Sequence, residues 1–123
     1  MRSFYVLDEE SIVDETIGQI NVVTAGGELD YAACPRLRAL LIEAVKSGHT
    51  AVLVDMTSAD FIDSTAIGVL VSAAAKLEDL DRRLVIACDE DQILNIFGIV
   101  GLDEIVDIYA SREQAVEGIT SIA

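Results

Sequence analysis

Apolar residues along the chain change their spacing several times, and each change marks an element. Phe4 and Val6 alternate with their neighbours in 3–7, and Ile20 and Val22 do the same in 18–24. This predicts two opening strands, with the acidic segment 8–16 (DEESIVDET) as the loop between them and Gly26-Gly27 ending the second. Leu37, Leu40, Leu41, Ala44 and Val45 then follow helical spacing from Pro35 to a stop at Gly48. The run Ala51-Val-Leu-Val-Asp55 is continuously apolar before its aspartate, as in a strand covered on both faces. A loop, 56–63 (MTSADFID), leads to a second helix over 64–79, striped by Ile67, Leu70, Val71, Ala74 and Leu77.

The cycle repeats twice more. A strand over 83–88 precedes a short helix around Ile93, Leu94 and Phe97, with Gly101 as its C-terminal cap. A last strand over 104–109 leads to a helix over 111–122, where Ser111 and Gln114 stand at the spacing of a reciprocal cap. Two strands followed by alternating helix and strand predict an α/β architecture. With no repeat, low-complexity tract or linker, residues 1–123 read as one domain.

Composition narrows the function classes. The 123 residues include 22 Asp and Glu against 8 Lys and Arg, a net charge of −14. Nucleic acid and anionic lipid are polyanions that demand basic patches, so neither is an expected partner. The cations form no sequence cluster larger than the pair Arg82-Arg83. The N-terminal stretch turns acidic within eight residues and does not read as a secretory signal. Two cysteines, Cys34 and Cys88, make no disulfide framework, and the expected compartment is a reducing cytoplasm.

Three stretches carry a resemblance: Gly27-Glu-Leu-Asp30, Phe61-Ile-Asp-Ser-Thr-Ala-Ile-Gly-Val-Leu70 and Phe97-Gly-Ile-Val-Gly-Leu-Asp103. In this order and spacing they resemble the G-x-L-D turn, the D-S-[ST]-x-[LI]-G helix start and the F-x-x-x-G-L segment of the STAS-domain anti-sigma factor antagonists of bacteria. The likeness runs from about Val6 to Gly118. It implies a STAS fold, a small mixed β-sheet of four to five strands packed with about four helices, and no catalytic activity or cofactor. It also implies a partner-switching role. The unphosphorylated form binds an anti-sigma factor that is an ATP-dependent serine kinase, and so releases the sigma factor. Phosphorylation of Ser64, the serine after the motif aspartate, ends binding, and a PP2C-type phosphatase restores it. The partner surface implied is Asp30, Asp63, Ser64, Thr65 and the start of the second helix, including Gly68. Ala66 stands where the best-known members have glycine, a change that suits a helix interior.

The residues favour the same sign of switching. A phosphate carries roughly −1.5 to −2 charges near neutral pH. Asp63 adjoins Ser64, Asp60 lies four residues back, and no Arg or Lys lies within ten residues. An added phosphate is therefore expected to break an interface by repulsion and not to order a loop. Spacing alone gives Ser64 a plainer role as helix N-cap, with Asp63 as a capping carboxylate. Gly68, Ser72 and Ala75 form a strip of small side chains, read as close packing on the sheet or, less simply, as a docking groove for a partner helix.

Rival chemistries fit less well. Asp55 ends a central strand as a receiver phosphoacceptor does, but no lysine follows the last strand and two strands precede any helix. His49, the only histidine, sits in a turn, and no nucleophile elbow, Cys-x-x-Cys or phosphate loop occurs. Cys34 before Pro35 marks a helix start, where a thiol's pKa tends to fall, which raises a minor redox reading beside the default of inert thiols. The alternative to the switch is a STAS scaffold that never cycles through phosphate.

Overall fold

The computed structural model describes residues 12–122. Seven strands and four helices follow in order: β1 Ile12–Ile17, β2 Ile20–Ala25, β3 Gly27–Leu29, α1 Cys34–Lys46, β4 Ala51–Asp55, β5 Ala59–Ile62, α2 Ser64–Asp79, β6 Arg83–Ala87, α3 Asp91–Val100, β7 Asp107–Tyr109 and α4 Arg112–Ile122. A 3-10 turn, Leu102–Glu104, separates α3 from β7. The main sheet is mixed, in the order β1-β2-β4-β6-β7, with β1 antiparallel to β2 and the other pairs parallel. A second, two-stranded parallel sheet joins β3 to β5.

Alternation along the central strands feeds two cores. Val52, Val54, Leu84 and Ile86 face α1, α2 and α3, whereas Ala51, Leu53, Val85 and Ala87 face Ala115 and Ile119 of α4. With both faces covered, β4 is buried throughout, which accounts for its unbroken apolar run. No helix among the described residues is long and apolar enough to cross a membrane.

Two segments expected as loops are strands, and Gly27–Leu29, expected as a turn after the second strand, is the short strand β3, held by its pairing with β5. Residues 12–17, inside the acidic connector, form edge strand β1, whose register pairs Ile12 with Ala25 and Ile17 with Ile20 around a Gly18-Gln19 turn. Only Ile12 of β1 is buried, and its acidic residues Asp14 and Glu15 are exposed, Glu15 being paired with Arg112 at the surface. Charge on an exposed edge discourages pairing with another chain while erasing the apolar signature of a strand. Residues 59–62 form β5, four residues long with only its two ends buried, too short for periodicity to reveal. The last strand starts at Asp107 and not at Glu104, which lies in the 3-10 turn. The strand expected over 3–7 lies outside the described residues.

The remaining elements match their sequence signals. Pro35 occupies the first turn of α1, and Gly48 (φ +81°) follows its end. Helix α2 spans Ser64–Asp79 as expected. Gly101 (φ +81°) closes α3 in the left-handed conformation glycine favours. Ser111 Oγ accepts the Gln114 N–H at 3.1 Å, one half of the anticipated cap on α4.

Candidate functional site

The small β3–β5 sheet builds the site. Gly27 adopts φ +72°, a conformation open to glycine, and its N–H donates to Ser58 O at 3.0 Å. A side chain on Gly26 would collide with Ser58 Oγ, so the strand passes tightly over the Thr57-Ser58 turn. Glu28 then pairs with Phe61 and Leu29 with Ile62. Leu29 and Ile62 turn inward to the core, leaving Asp30 and Asp63 to follow at the same end of the sheet. The Asp63 N–H donates to Leu29 O at 3.1 Å and ties the two exits together.

From there each aspartate organises a helix start. Asp30 Oδ1 accepts the N–H groups of Ala32 at 3.1 Å and Ala33 at 3.2 Å, folding the turn into α1. Asp63 is extended (φ −110°, ψ 178°), and its Oδ1 accepts the Ala66 N–H at 3.0 Å as the N-cap of α2. The capping role that spacing alone offered to Ser64 therefore belongs to Asp63. Ser64 is the first residue of the helix, exposed, and its hydroxyl makes no hydrogen bond with any described residue. Thr65 is exposed beside it, while Ala66 is fully buried, so its methyl fills space that glycine would leave empty.

Asp30, Asp63, Ser64 and Thr65 thus come together at one end of the β3–β5 sheet. Gly68 continues the same surface one turn along α2; it is exposed, and a side chain there would meet nothing within 4 Å. Ser72 and Ala75 are exposed as well, so the strip of small residues faces outward and does not pack on the sheet. Two aromatics to which the sequence alone assigned no role flank the site. Tyr31 is 75% exposed directly after Asp30, and Phe61 is 49% exposed two residues before Asp63. Their exposure was legible only as an odd placement of large apolar side chains in a turn and a very short strand.

At the start of α1, two carboxylates and one cation among the described residues act on Cys34. Cys34, at the start of α1, is buried, and burial pushes its thiol above the ordinary value, with Asp63 and Asp30 adding to the rise and Arg38 opposing it. The lowering expected from a helix N-terminus is overridden by burial and by the two carboxylates. Cys88 is likewise buried and raised, chiefly by burial. Among the described residues, no group of three or more His, Cys, Asp or Glu side chains gathers as a metal cluster would.

A second network, not anticipated, reaches the turn that Gly27 contacts. Asp55 is only 5% exposed, and its Oδ1 accepts the Thr57 N–H at 3.0 Å and the Thr57 hydroxyl at 2.7 Å. Arg112 at the start of α4 donates to Asp55 Oδ2 at 2.7 Å, to Glu15 at 2.9 Å and to Thr24 Oγ1 at 2.8 Å. Burial pushes the Asp55 carboxyl up, but the Thr57 and Arg112 hydrogen bonds outweigh it and hold the group below its ordinary value. The aspartate that resembled a receiver phosphoacceptor is therefore committed to an ion pair that joins β1, β2, β4 and α4 and shapes the turn leading into β5.

The family model for the STAS domain matches residues 11–115. The chain is 30% identical over 91 residues to the anti-sigma-B factor antagonist of Staphylococcus aureus (strain NCTC 8325 / PS 47), covering 74% of this chain and 84% of that one. Its fold is similar to that of an anti-sigma factor antagonist from Mycobacterium paratuberculosis, with a TM-score of 0.83 at 19% identity over 89% of this chain and 92% of the other. It is also similar to the Bacillus cell fate determinant SpoIIAA in its phosphorylated form, with a TM-score of 0.71 at 23% identity over 88% of this chain and 98% of that one. With the described topology and the match over residues 11–115, the chain belongs to the STAS domain family.

Proposed function

We propose that this chain is an anti-sigma factor antagonist of the cytoplasm, without catalytic activity of its own, that is switched by phosphate on Ser64. The carrying observation is the placement of Ser64: an exposed hydroxyl without a partner among the described residues, on the first turn of α2, beside a capping aspartate and across from Asp30. The S. aureus relative's name as an anti-sigma-B factor antagonist and the existence of SpoIIAA in a phosphorylated form support this reading.

In the unphosphorylated state the surface around Asp30, Tyr31, Phe61, Asp63, Ser64, Thr65 and Gly68 binds a serine-kinase anti-sigma factor. Two exposed aromatics give such a patch apolar anchors, the residue type that tends to dominate interface energies. The kinase transfers the γ-phosphoryl group of ATP to Ser64 Oγ, releasing ADP and the hydroxyl proton. A PP2C-type phosphatase returns Ser64 by hydrolysing the phosphoester. The phosphate gains from the helix N-terminus about 0.3–1 kcal/mol. Against this, it adjoins Asp63 and stands at the same end of the β3–β5 sheet as Asp30, with Asp60 four residues back in sequence, and burial in an interface strips its water.

Titration calorimetry with the serine-kinase anti-sigma factor of the same organism tests the proposal. Wild type and Ser64→Ala are expected to bind alike, and Ser64→Asp to bind at least about 30-fold more weakly, equivalent to about 2 kcal/mol. A Ser64→Asp variant that binds as tightly as wild type would overturn the switch and favour the non-cycling scaffold.

A further inference from the structure

Helices α1 and α2 lie side by side over the sheet, and between them runs an open groove of about 310 Å³. Ile42 and half-buried Val45 from α1 supply apolar wall, and Val69 of α2, itself buried, lies at the floor. Ile42 is 39% exposed, an apolar side chain with nothing over it among the described residues. Gly68 leaves the α2 side low enough for another backbone to approach.

The charge of this groove is opposite to that of the chain. Arg38, Lys46 and Lys76 line it, which is three of the eight cations in the sequence, and none of the 22 carboxylates does. None of the three is ion-paired with any described residue. A protein of net charge −14 repels acidic partners in general, so cations gathered around an apolar trough, with no carboxylate partner among the described residues, single out one place where an acidic partner is attracted.

We propose that the α1–α2 groove docks an amphipathic helix of a partner protein, its apolar face seated on Ile42, Val45 and Val69 and its flanking carboxylates paired with Arg38, Lys46 and Lys76. A helix laid in a groove meets the walls through residues one turn apart, and carboxylates on either side of that stripe reach both lips. Docking here depends little on phosphate at Ser64, because Lys46 and Lys76 stand at the far end of both helices; Arg38 and Gly68 are the groove residues nearest the Ser64 end.

The test uses the full chain and a fluorescein-labelled amphipathic peptide with a leucine stripe flanked by glutamates, beside the same peptide flanked by lysines. Anisotropy is expected to show tighter binding of the glutamate form, weakening with added salt. Lys46→Glu with Lys76→Glu is expected to weaken it about tenfold, taking each rim pair at about 0.7 kcal/mol, and to make the lysine form the better ligand. Ser64→Asp should leave the affinity within about twofold, a result that stands whether or not Ser64 is a phosphoacceptor. Amide shift changes should map to 38–46 and 68–76. Should the double variant lose its native circular dichroism, Lys46→Gln with Lys76→Gln is measured instead and should weaken binding in the same direction. Binding of the lysine form as tight as the glutamate form, no binding at about 1 mM peptide, or a chain dimer dissolved by the lysine substitutions would overturn the proposal.

Discussion

Replacing Asp63 by alanine separates what this carboxylate does for helix α2 from what its charge does beside Ser64. In the wild type, Asp63 Oδ1 accepts the Ala66 N–H at 3.0 Å, one of the four amides that a helix start leaves unpaired. Losing an N-cap costs about 1 kcal/mol, and losing a negative charge from the first turn costs about 0.3–1 kcal/mol more. Together these make roughly 1–2 kcal/mol, which for a domain of this size lowers Tm by about 4–9 °C. Asparagine keeps the acceptor and loses only the charge, so Asp63→Asn should fall by less than half as much. Thermal melts followed by circular dichroism give the totals. Hydrogen exchange at the Ala66 amide locates them: protection drops in Asp63→Ala and stays near wild type in Asp63→Asn. Equal losses in the two variants, or an Ala66 amide equally protected in Asp63→Ala, would refute the capping account.

Three further perturbations have expected outcomes. Asp55 has a folded pKa below its unfolded value, so it adds stability above the unfolded pKa of about 3.9, and this is lost as pH falls from there through the folded value. Urea titrations between pH 3 and pH 6 should show that loss in wild type and a flatter acid limb in Asp55→Asn, and an unchanged limb would remove Asp55 from the account. Gly68→Ala should raise stability by about 0.5–1 kcal/mol, because the site is open and alanine is the better helix former; a lower Tm would mean that the small-residue strip packs after all. Alkylation of Cys34 and Cys88 at pH 8 should be slow in the native protein and fast in denaturant, since both thiols are buried and raised. Rapid native labelling of Cys34 would reinstate the redox reading.

How much of this was legible in the sequence follows from what periodicity can carry. The helices and the fully covered strands β4 and β6 announce themselves, because burial on one stripe or on both faces dictates residue type at every position. Strands β1 and β5 do not. One is an edge held in place by its partner's register, and the other consists of four residues paired with three. The end points of β3 and β5 matter most for function, since they bring Asp30 to Asp63 across 33 positions of sequence. Ser64 could be nominated only through its motif, and its freedom from capping duty required the conformation of Asp63. The strut from Arg112 to Asp55 spans 57 residues, and the cations at the α1–α2 groove come from two helices, so neither gathering exists until the chain folds.

The central claim is that Ser64 is a reversible phosphoacceptor, and site-resolved mass spectrometry on the protein isolated from its own cells addresses it most directly. Samples taken before and after stress should carry phosphate on Ser64, at an occupancy that changes between them, with Thr65 unmodified. A Ser64 that stays unmodified in every condition, or phosphate confined to Thr65, would contradict the account while leaving the STAS fold in place.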